Sequence, residues 1–389
     1  MKPVIAFFLC LSINLVVRAQ SRTLNLGGTA DKNYYEEIPY ETVRNKIFVT
    51  VEIGGRKHRF LFDTGAPMAI SDGLATELMS PELDRELMKD ALGNVDTMKI
   101  VSLKEIKLGN IVFTDIPALK FLPDLFKCWN VEGVVGSNIL RGSIVQILPE
   151  RHVIILTDKR DRLSLQNKNA IPMYTNEDRQ SYPHIHVLFG DKVPVDLGFD
   201  TGGDEFIALN EASMRDLCQK NVCMIAERGF GSHMMSELGA ASSDSIFRIR
   251  IPSLTIGSAQ FDNAVLETHK QGMLRIGAQL LNYGTVTLDF IHSKFYFDAG
   301  RSNNDLGNKQ WPFSPTITNG KLLIGVVWGE MNTRMKPGEQ ILAIDTVSFP
   351  TIDPCTWLGN NYLPDGKNKV RLTIRSENTA PREIDVVKE

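Results

Sequence analysis

Hydrophobic residues along this chain fall in short runs, alternating or continuous, bounded by glycine, the pattern of strands joined by tight turns. The stretch Ile47-Phe-Val-Thr-Val-Glu-Ile-Gly-Gly, followed by Arg59-Phe-Leu-Phe-Asp63-Thr-Gly-Ala-Pro-Met-Ala-Ile-Ser71, predicts a hairpin that runs into an Asp-Thr-Gly turn and out again. Its echo is His184-Ile-His-Val-Leu-Phe-Gly190 followed by Val193-Pro-Val-Asp-Leu-Gly-Phe-Asp200-Thr-Gly-Gly-Asp-Glu-Phe-Ile-Ala-Leu209. The two Asp residues are 200 minus 63, or 137, positions apart.

The repetition continues downstream. Leu103–Gly109 with Phe113 matches Phe247–Ile251 and Leu254–Gly257 with Phe261, each a hairpin with a glycine turn. Val134-Val-Gly136-Ser-Asn-Ile-Leu140 and its two following apolar runs match Leu274-Arg-Ile-Gly277-Ala-Gln-Leu-Leu281 and its two. Those glycines are 277 minus 136, or 141, positions apart, close to the offset of the turns. Two tandem copies of one β-rich unit are therefore expected.

A turn that carries Asp twice can place two carboxylates face to face. Each residue of the turn has a physical use: the Asp leaves a strand and is held by the scaffold, and Thr64 and Thr201 carry hydroxyls able to cross-link the turns. Gly65 and Gly202 allow backbone amides to approach the carboxylates where a side chain would collide with the other lobe. Asp-Thr-Gly is also ordinary turn chemistry, and it is the matching glycine segments downstream that lift the pair above it.

These motifs resemble those of retropepsin-like and pepsin-like aspartyl proteases in their bilobal form, over residues 40–300. Leu61-Phe62-Asp63-Thr64-Gly65-Ala66 and Val134-Val135-Gly136 fit the family pattern closely. In the second lobe, Gly198 stands where a larger apolar residue is usual, Gly203 replaces the usual Ala, Ser or Thr, and Arg275 interrupts the second apolar pair. The resemblance implies an all-β fold of two tandem acid-protease β-barrel-like lobes forming a cleft. It implies Asp63 and Asp200 as the catalytic pair, with Thr64, Gly65, Ala66, Thr201, Gly202 and Gly203 as supporting turn residues. The expected activity is endopeptidase hydrolysis of a peptide or protein, with neither a metal nor a cofactor. Two carboxylates sharing a site share one proton, so they titrate as one unit.

Two other readings stay open: a catalytically inactive peptide-binding protein using the same cleft and the PDZ-like sheet edge of the C-terminal unit, and a half-site enzyme that pairs two copies of Asp63 by dimerising. A monomer is the expectation from the internal duplication. Ala66 and Gly203 lack the hydroxyl that Ser or Thr would offer the carboxylates, and Asp204 and Glu205 add negative charge beside them. A pH optimum nearer neutral than that of gastric enzymes is therefore expected. A flap hairpin is expected over Ala91–Val101, and the glycine-rich stretch Arg228–His233 is expected to form the corresponding loop of the second half.

After the polar linker Gly300–Lys309 the pattern changes. Leu323–Trp328, Lys336–Asp345 and Val370–Ile374 read as strands of a small unit similar to PDZ domains, chiefly through Lys336-Pro-Gly-Glu-Gln-Ile-Leu-Ala-Ile, where Glu339 replaces the usual Asp. Such a module implies peptide capture at a sheet edge, with Asn319–Leu323 as the best candidate for a terminal-carboxylate loop. The plainer reading is a β-rich cap packed on the lobes. The expected organisation is a signal peptide over 1–19, lobes over 20–160 and 161–304, and a PDZ-like domain over 305–389.

The remaining features narrow the setting. Lys2, the apolar run Val4–Val17 and Val17-Arg18-Ala19 read as a cleavable export signal, too short to span a bilayer, so a periplasmic, cell-surface or secreted protein with no membrane span in its mature chain is expected. The chain has 389 residues, 43% hydrophobic and 23% charged, with a net charge of -3 and no basic cluster, which argues against a nucleic-acid partner. Beyond Cys10 there are four cysteines; Cys218 and Cys223 are close enough for a small disulfide loop, while buried free thiols explain all four equally well. The seven histidines form no metal-binding pattern, and His184 and His186 read as alternating strand residues.

Overall fold

A computed structural model describes residues 23–89, 94–175, 180–232, 235–236, 239–240, 243–360, 362–364 and 366–389. The segment read as an export signal and residues 91–93 of the expected first flap lie outside them. The protein is all-β, as the sequence implies, and its strands follow the duplicated pattern.

Among the described residues, six antiparallel strands join the two halves. Their order is Tyr35–Val43, Val153–Thr157, Ile144–Leu148, Gly284–Asp289, Lys294–Ala299 and Ala170–Thr175. At the centre, Val145, Gln146 and Ile147 face Leu288, Thr287 and Val286. Thr287 is 287 minus 146, or 141, positions beyond Gln146, the offset of the sequence repeat, so the pseudo-twofold axis passes through this pair. Gln146 Nε2 donates to Thr287 Oγ1 at 3.0 Å, satisfying two polar side chains that are buried on the axis.

Each lobe hangs from this sheet. In the first, Lys46–Ile53 and Arg56–Phe62 form the hairpin read from the sequence, in register Phe48 to Leu61 through Ile53 to Arg56. Alternation puts Ile47, Val49, Val51 and Phe60 into the core while Thr50 faces out. Burying each such side chain is worth roughly 1.5–3 kcal/mol. Glu82–Lys89 pairs antiparallel with Val95–Leu108, so the stem of a flap hairpin is present. In the second lobe the hairpin Pro183–Phe189 and Val193–Asp200 repeats the arrangement.

Of the loop expected over Arg228–His233, Arg228–Gly231 is strand, and His233 lies outside the described residues. Arg228–Gly231 is the end of strand Met224–Gly231, paired on one side with Asp244–Ile256. On its other side Gly229, Phe230 and Gly231 pair with Trp328, Val327 and Val326 of the C-terminal unit. Its glycines answer to packing: a Cβ at Gly229 would lie 2.6 Å from the Trp328 ring, and Gly231 adopts φ 130° against the Gly325 backbone.

The C-terminal unit comprises Phe313–Thr318, Lys321–Trp328, Gln340–Ile344, Lys369–Arg375 and Arg382–Val387 with the short helix Pro354–Gly359, around its own core of residues such as Leu322, Ile341 and Leu372. The stretch singled out as a carboxylate loop begins with a hairpin turn: Thr318 pairs with Lys321 across Asn319 and Gly320, at φ 50° and 72°. The unit is anchored on both lobes. Arg248, buried in the second lobe, pairs with Glu227 and Glu267 at 3.1 and 3.0 Å, donates to the Trp311 carbonyl at 3.0 Å, and lies 4.1 Å from the Trp328 ring centroid. On the first lobe, Cys128 is bonded to Cys355 across 227 residues, and Leu358 packs on the cluster containing Phe126 and Trp129. Cys218 and Cys223 form the small loop, so the free-thiol alternative does not hold for any of the four.

Two outcomes follow from these anchors. Replacing Cys355 with Ser should lower stability by about 2–5 kcal/mol, the usual effect of opening a long disulfide loop; calorimetry under non-reducing conditions checks it, and an unchanged melt would place the anchoring on the strand pairing alone. Glu339 accepts from the Lys336 amide at 2.8 Å, bonds the Ser376 hydroxyl and pairs with Arg382 at 2.7 Å. Burial pushes its carboxyl up, but these partners more than offset that and hold it below the usual glutamate range. A depressed carboxyl stabilises the fold fully above its unfolded value, about pH 4.3, and progressively less as pH falls through the native value. Glu339→Gln should therefore be less stable than the parent at pH 7, with the gap closing in acid, as read by denaturant titrations at pH 7 and pH 3.

Candidate active site

Each Asp-Thr-Gly turn is placed by the strand before it and the glycine segment beside it. Arg56–Phe62 runs parallel to Gly133–Val135, in register Phe60 to Gly133 and Phe62 to Val135, and the Asp63 amide donates to the Val135 carbonyl at 3.0 Å. In the second lobe Val193–Asp200 runs parallel to Arg275–Gly277, with Asp200 opposite Gly277. A Cβ at Gly136 would collide with the backbone of Ala66 to Met68, and one at Gly277 with that of Gly203 and Glu205. Glycine is therefore required where each strand threads past the turn.

The turns grip each other. Thr64 Oγ1 donates to the Phe199 carbonyl at 2.7 Å, and Thr201 Oγ1 donates to the Phe62 carbonyl at 2.8 Å. Each hydroxyl also accepts from the amide of the opposite threonine at 3.1 Å. Both threonines are fully buried, so all four bonds are shielded from water.

This grip brings the sequence-predicted carboxylates together. Asp63 and Asp200 are 8% and 6% exposed. Asp63 Oδ1 accepts from the amides of Gly65 and Ala66 at 2.9 and 3.1 Å, and Asp200 Oδ1 from that of Gly202 at 2.8 Å. Gly65 lies beneath the opposite carboxylate: a Cβ there would stand 2.5 Å from Asp200 Oδ1. Gly202 does the same for Asp63, at 2.7 Å from Oδ1. Ala66 and Gly203 continue the turns, and their carbonyls accept from Ser137 and Ala278 at 2.9 and 2.8 Å.

The surroundings contain further charges. Asp204 and Glu205 were expected to add net negative charge, but each meets a cation. Lys46 pairs with Asp204 at 3.0 Å and bonds the Gly202 carbonyl. Arg275 Nε bonds Glu205, while Arg275 Nη1 lies 3.5 Å from Asp200 Oδ2. Burial raises the Glu205 carboxyl, yet Arg275 outweighs it and the group ends below its ordinary range. For Lys46, burial acts downward and is overcome by Asp204, with smaller contributions from Asp63 and Asp200. The part of the near-neutral expectation that rests on these acids is weakened, because each is paired with a cation, while Ala66 and Gly203 still offer the carboxylates no hydroxyl. Lys46 sits far from either motif in sequence and nothing in its own neighbourhood marked it.

Residues 49–139 match the family model described as aspartyl protease. The matched span contains the first turn and its glycine segment. Among solved structures, a retropepsin-like aspartic protease from Rickettsia conorii is 19% identical, covering 32% of this chain and 91% of that one, with a TM-score of 0.25. Basic 7S globulin from soybean is 10% identical, covering 69% of this chain and 95% of that one, with a TM-score of 0.35. No curated protein matches the chain.

The grip has a measurable cost when broken. Thr201→Val keeps the shape but leaves the Phe62 carbonyl and the Thr64 amide buried without partners, at about 1–3 kcal/mol each. A fall in unfolding free energy of about 2–5 kcal/mol is expected in denaturant titration, and a change under 0.5 kcal/mol would mean that the grip is not what holds the lobes in register.

Proposed function

We propose that the protein is an aspartic endopeptidase in which Asp63 and Asp200 activate one water for attack on a peptide bond. The observation that carries this reading is the reciprocal turn arrangement, which sets two buried carboxylates against each other and supports each from beneath by the other lobe's glycine. In the working state the pair carries one proton and one negative charge. The ionised carboxylate takes a proton from the water as it attacks the carbonyl carbon, and the protonated one donates a hydrogen bond to the carbonyl oxygen. The tetrahedral diol then collapses as a proton passes to the leaving nitrogen, and the C–N bond breaks.

The substrate is a peptide or protein lying between the lobes. Both carboxylates come from one chain, which favours a monomer over a dimer pairing two copies of Asp63. Two disulfides are consistent with export to an oxidising compartment, whether periplasm, cell surface or medium. We assign the PDZ-like unit a role in regulating access more than in capturing peptide. At Val326–Trp328 its sheet edge is already filled by the second lobe, and its helix is bonded to the first.

Peptide-library cleavage read by mass spectrometry between about pH 3 and 8, the span open to a shared-proton pair, tests the reading. Cleavage by the parent and its loss by about 10⁴-fold or more in both Asp63→Asn and Asp200→Asn is the expected result. Loss in Asp63→Asn alone would indicate a dimer, and no cleavage by the parent would indicate a peptide-binding protein.

A further inference from the structure

The pseudo-twofold axis maps the pair Leu61 and Val134 of the first lobe onto Gly198 and Arg275 of the second. In the first lobe both residues are apolar and pack with Phe48, Phe126 and Trp129. In the second, the space that a side chain at Gly198 would take is filled by Tyr182, whose ring and hydroxyl would collide with a Cβ there. Arg275 is 7% exposed and reaches under the turn to Glu205 and Asp200. Gly203 leaves room for that bridge, since a Cβ would stand 2.9 Å from Glu205 Oε1 and 3.0 Å from Arg275 Nε. The three departures of the second lobe from the family pattern are thus one arrangement: Gly198 admits Tyr182, and Gly203 admits the Glu205–Arg275 pair. Unrelated losses in a decaying site would not fit together sterically in this way.

We propose that Arg275 is a positioning residue that acts through Asp200, stabilising the singly charged carboxylate pair and thereby extending activity toward acid. The inference rests on the proposed acid/base role of Asp63 and Asp200. A buried guanidinium is costly to desolvate and is retained only where carboxylates satisfy it. The charged and titratable groups facing this centre are Asp63, Asp200, Glu205, Asp204, Lys46 and Tyr182. Tyr182 is a neutral phenol, held well above its ordinary range by burial and then by Asp200. Burial acts to lower Arg275, but Asp200 and Glu205 outweigh it and hold the guanidinium above its usual value. The attraction is mutual: the charge that keeps Arg275 protonated favours forms of the pair bearing a negative charge. Without the cation, the pair would gain its working charge only at higher pH.

The test is kcat/KM against pH on a peptide selected from the library, for the parent, Arg275→Gln, Arg275→Lys and Glu205→Gln, each checked for folding by near-ultraviolet circular dichroism. In Arg275→Gln the acid limb should move upward by about one pH unit or more, the scale of an opposite charge within about 4–6 Å. Arg275→Lys should recover at least half of that displacement. Glu205→Gln, which leaves the guanidinium to the aspartates, should move the limb downward. A uniform loss of rate with the limb in place would show a merely structural role and overturn the proposal. If Arg275→Gln does not fold, an unmoved limb in Glu205→Gln overturns it equally. If the parent cleaves nothing, the peptidase reading falls, and carboxyl titration of protein labelled with ¹³C at aspartate decides the rest. Displacement of the aspartate signals in the same directions supports the electrostatic role, and identical titrations in parent and variants reject it.

Discussion

The fold is organised around holding two like-charged groups close together in a place where neither is well solvated. Two carboxylates that meet across an interface repel when both are ionised, and only a rigid frame keeps them at a useful separation. The frame here is the set of four buried bonds made by Thr64 and Thr201. Each threonine bonds backbone of the opposite lobe, so moving one turn moves the other. The paired glycine segments press the turns from behind, and the six-stranded sheet with Gln146 and Thr287 at its centre holds the lobes in the same symmetry.

Symmetry is kept where the geometry of the pair depends on it and abandoned one residue away. Leu61 and Val134 add packing to the first lobe, whereas Gly198 and Arg275 add charge to the second. The substitution is possible because Tyr182 restores the lost volume and Glu205 answers the buried cation. The two equivalent carboxylates therefore stand in chemically uneven surroundings, with a guanidinium beside Asp200.

The C-terminal unit spans this asymmetry. It extends the second lobe's sheet through Gly229–Gly231 and is covalently tied to the first lobe at Cys128. Leu358 packs on a cluster that includes Met98 of the flap stem and the partly buried Met88.

Most strand positions, the duplication and the two Asp-Thr-Gly turns were legible in the chain, because period-two burial and turn chemistry are local and the repeat displays them twice. The reading of Arg228–Gly231 as a loop failed because glycine there serves contact with Trp328, a partner about 100 residues away in sequence. The same limit applies to the Cys128–Cys355 bond and to the pairing of Lys46 with Asp204, since nothing local marks either partner. Gly198, Gly203 and Arg275 were visible one by one as departures, but only their packing around Tyr182 and Glu205 shows that they compensate one another. Sequence by itself thus determined most of the strands, the repeat and the two Asp-Thr-Gly turns, which depend on neighbours along the chain. The charge around the pair and the docking of the C-terminal unit were decided by tertiary structure, because Coulomb attraction and side-chain contact act through space.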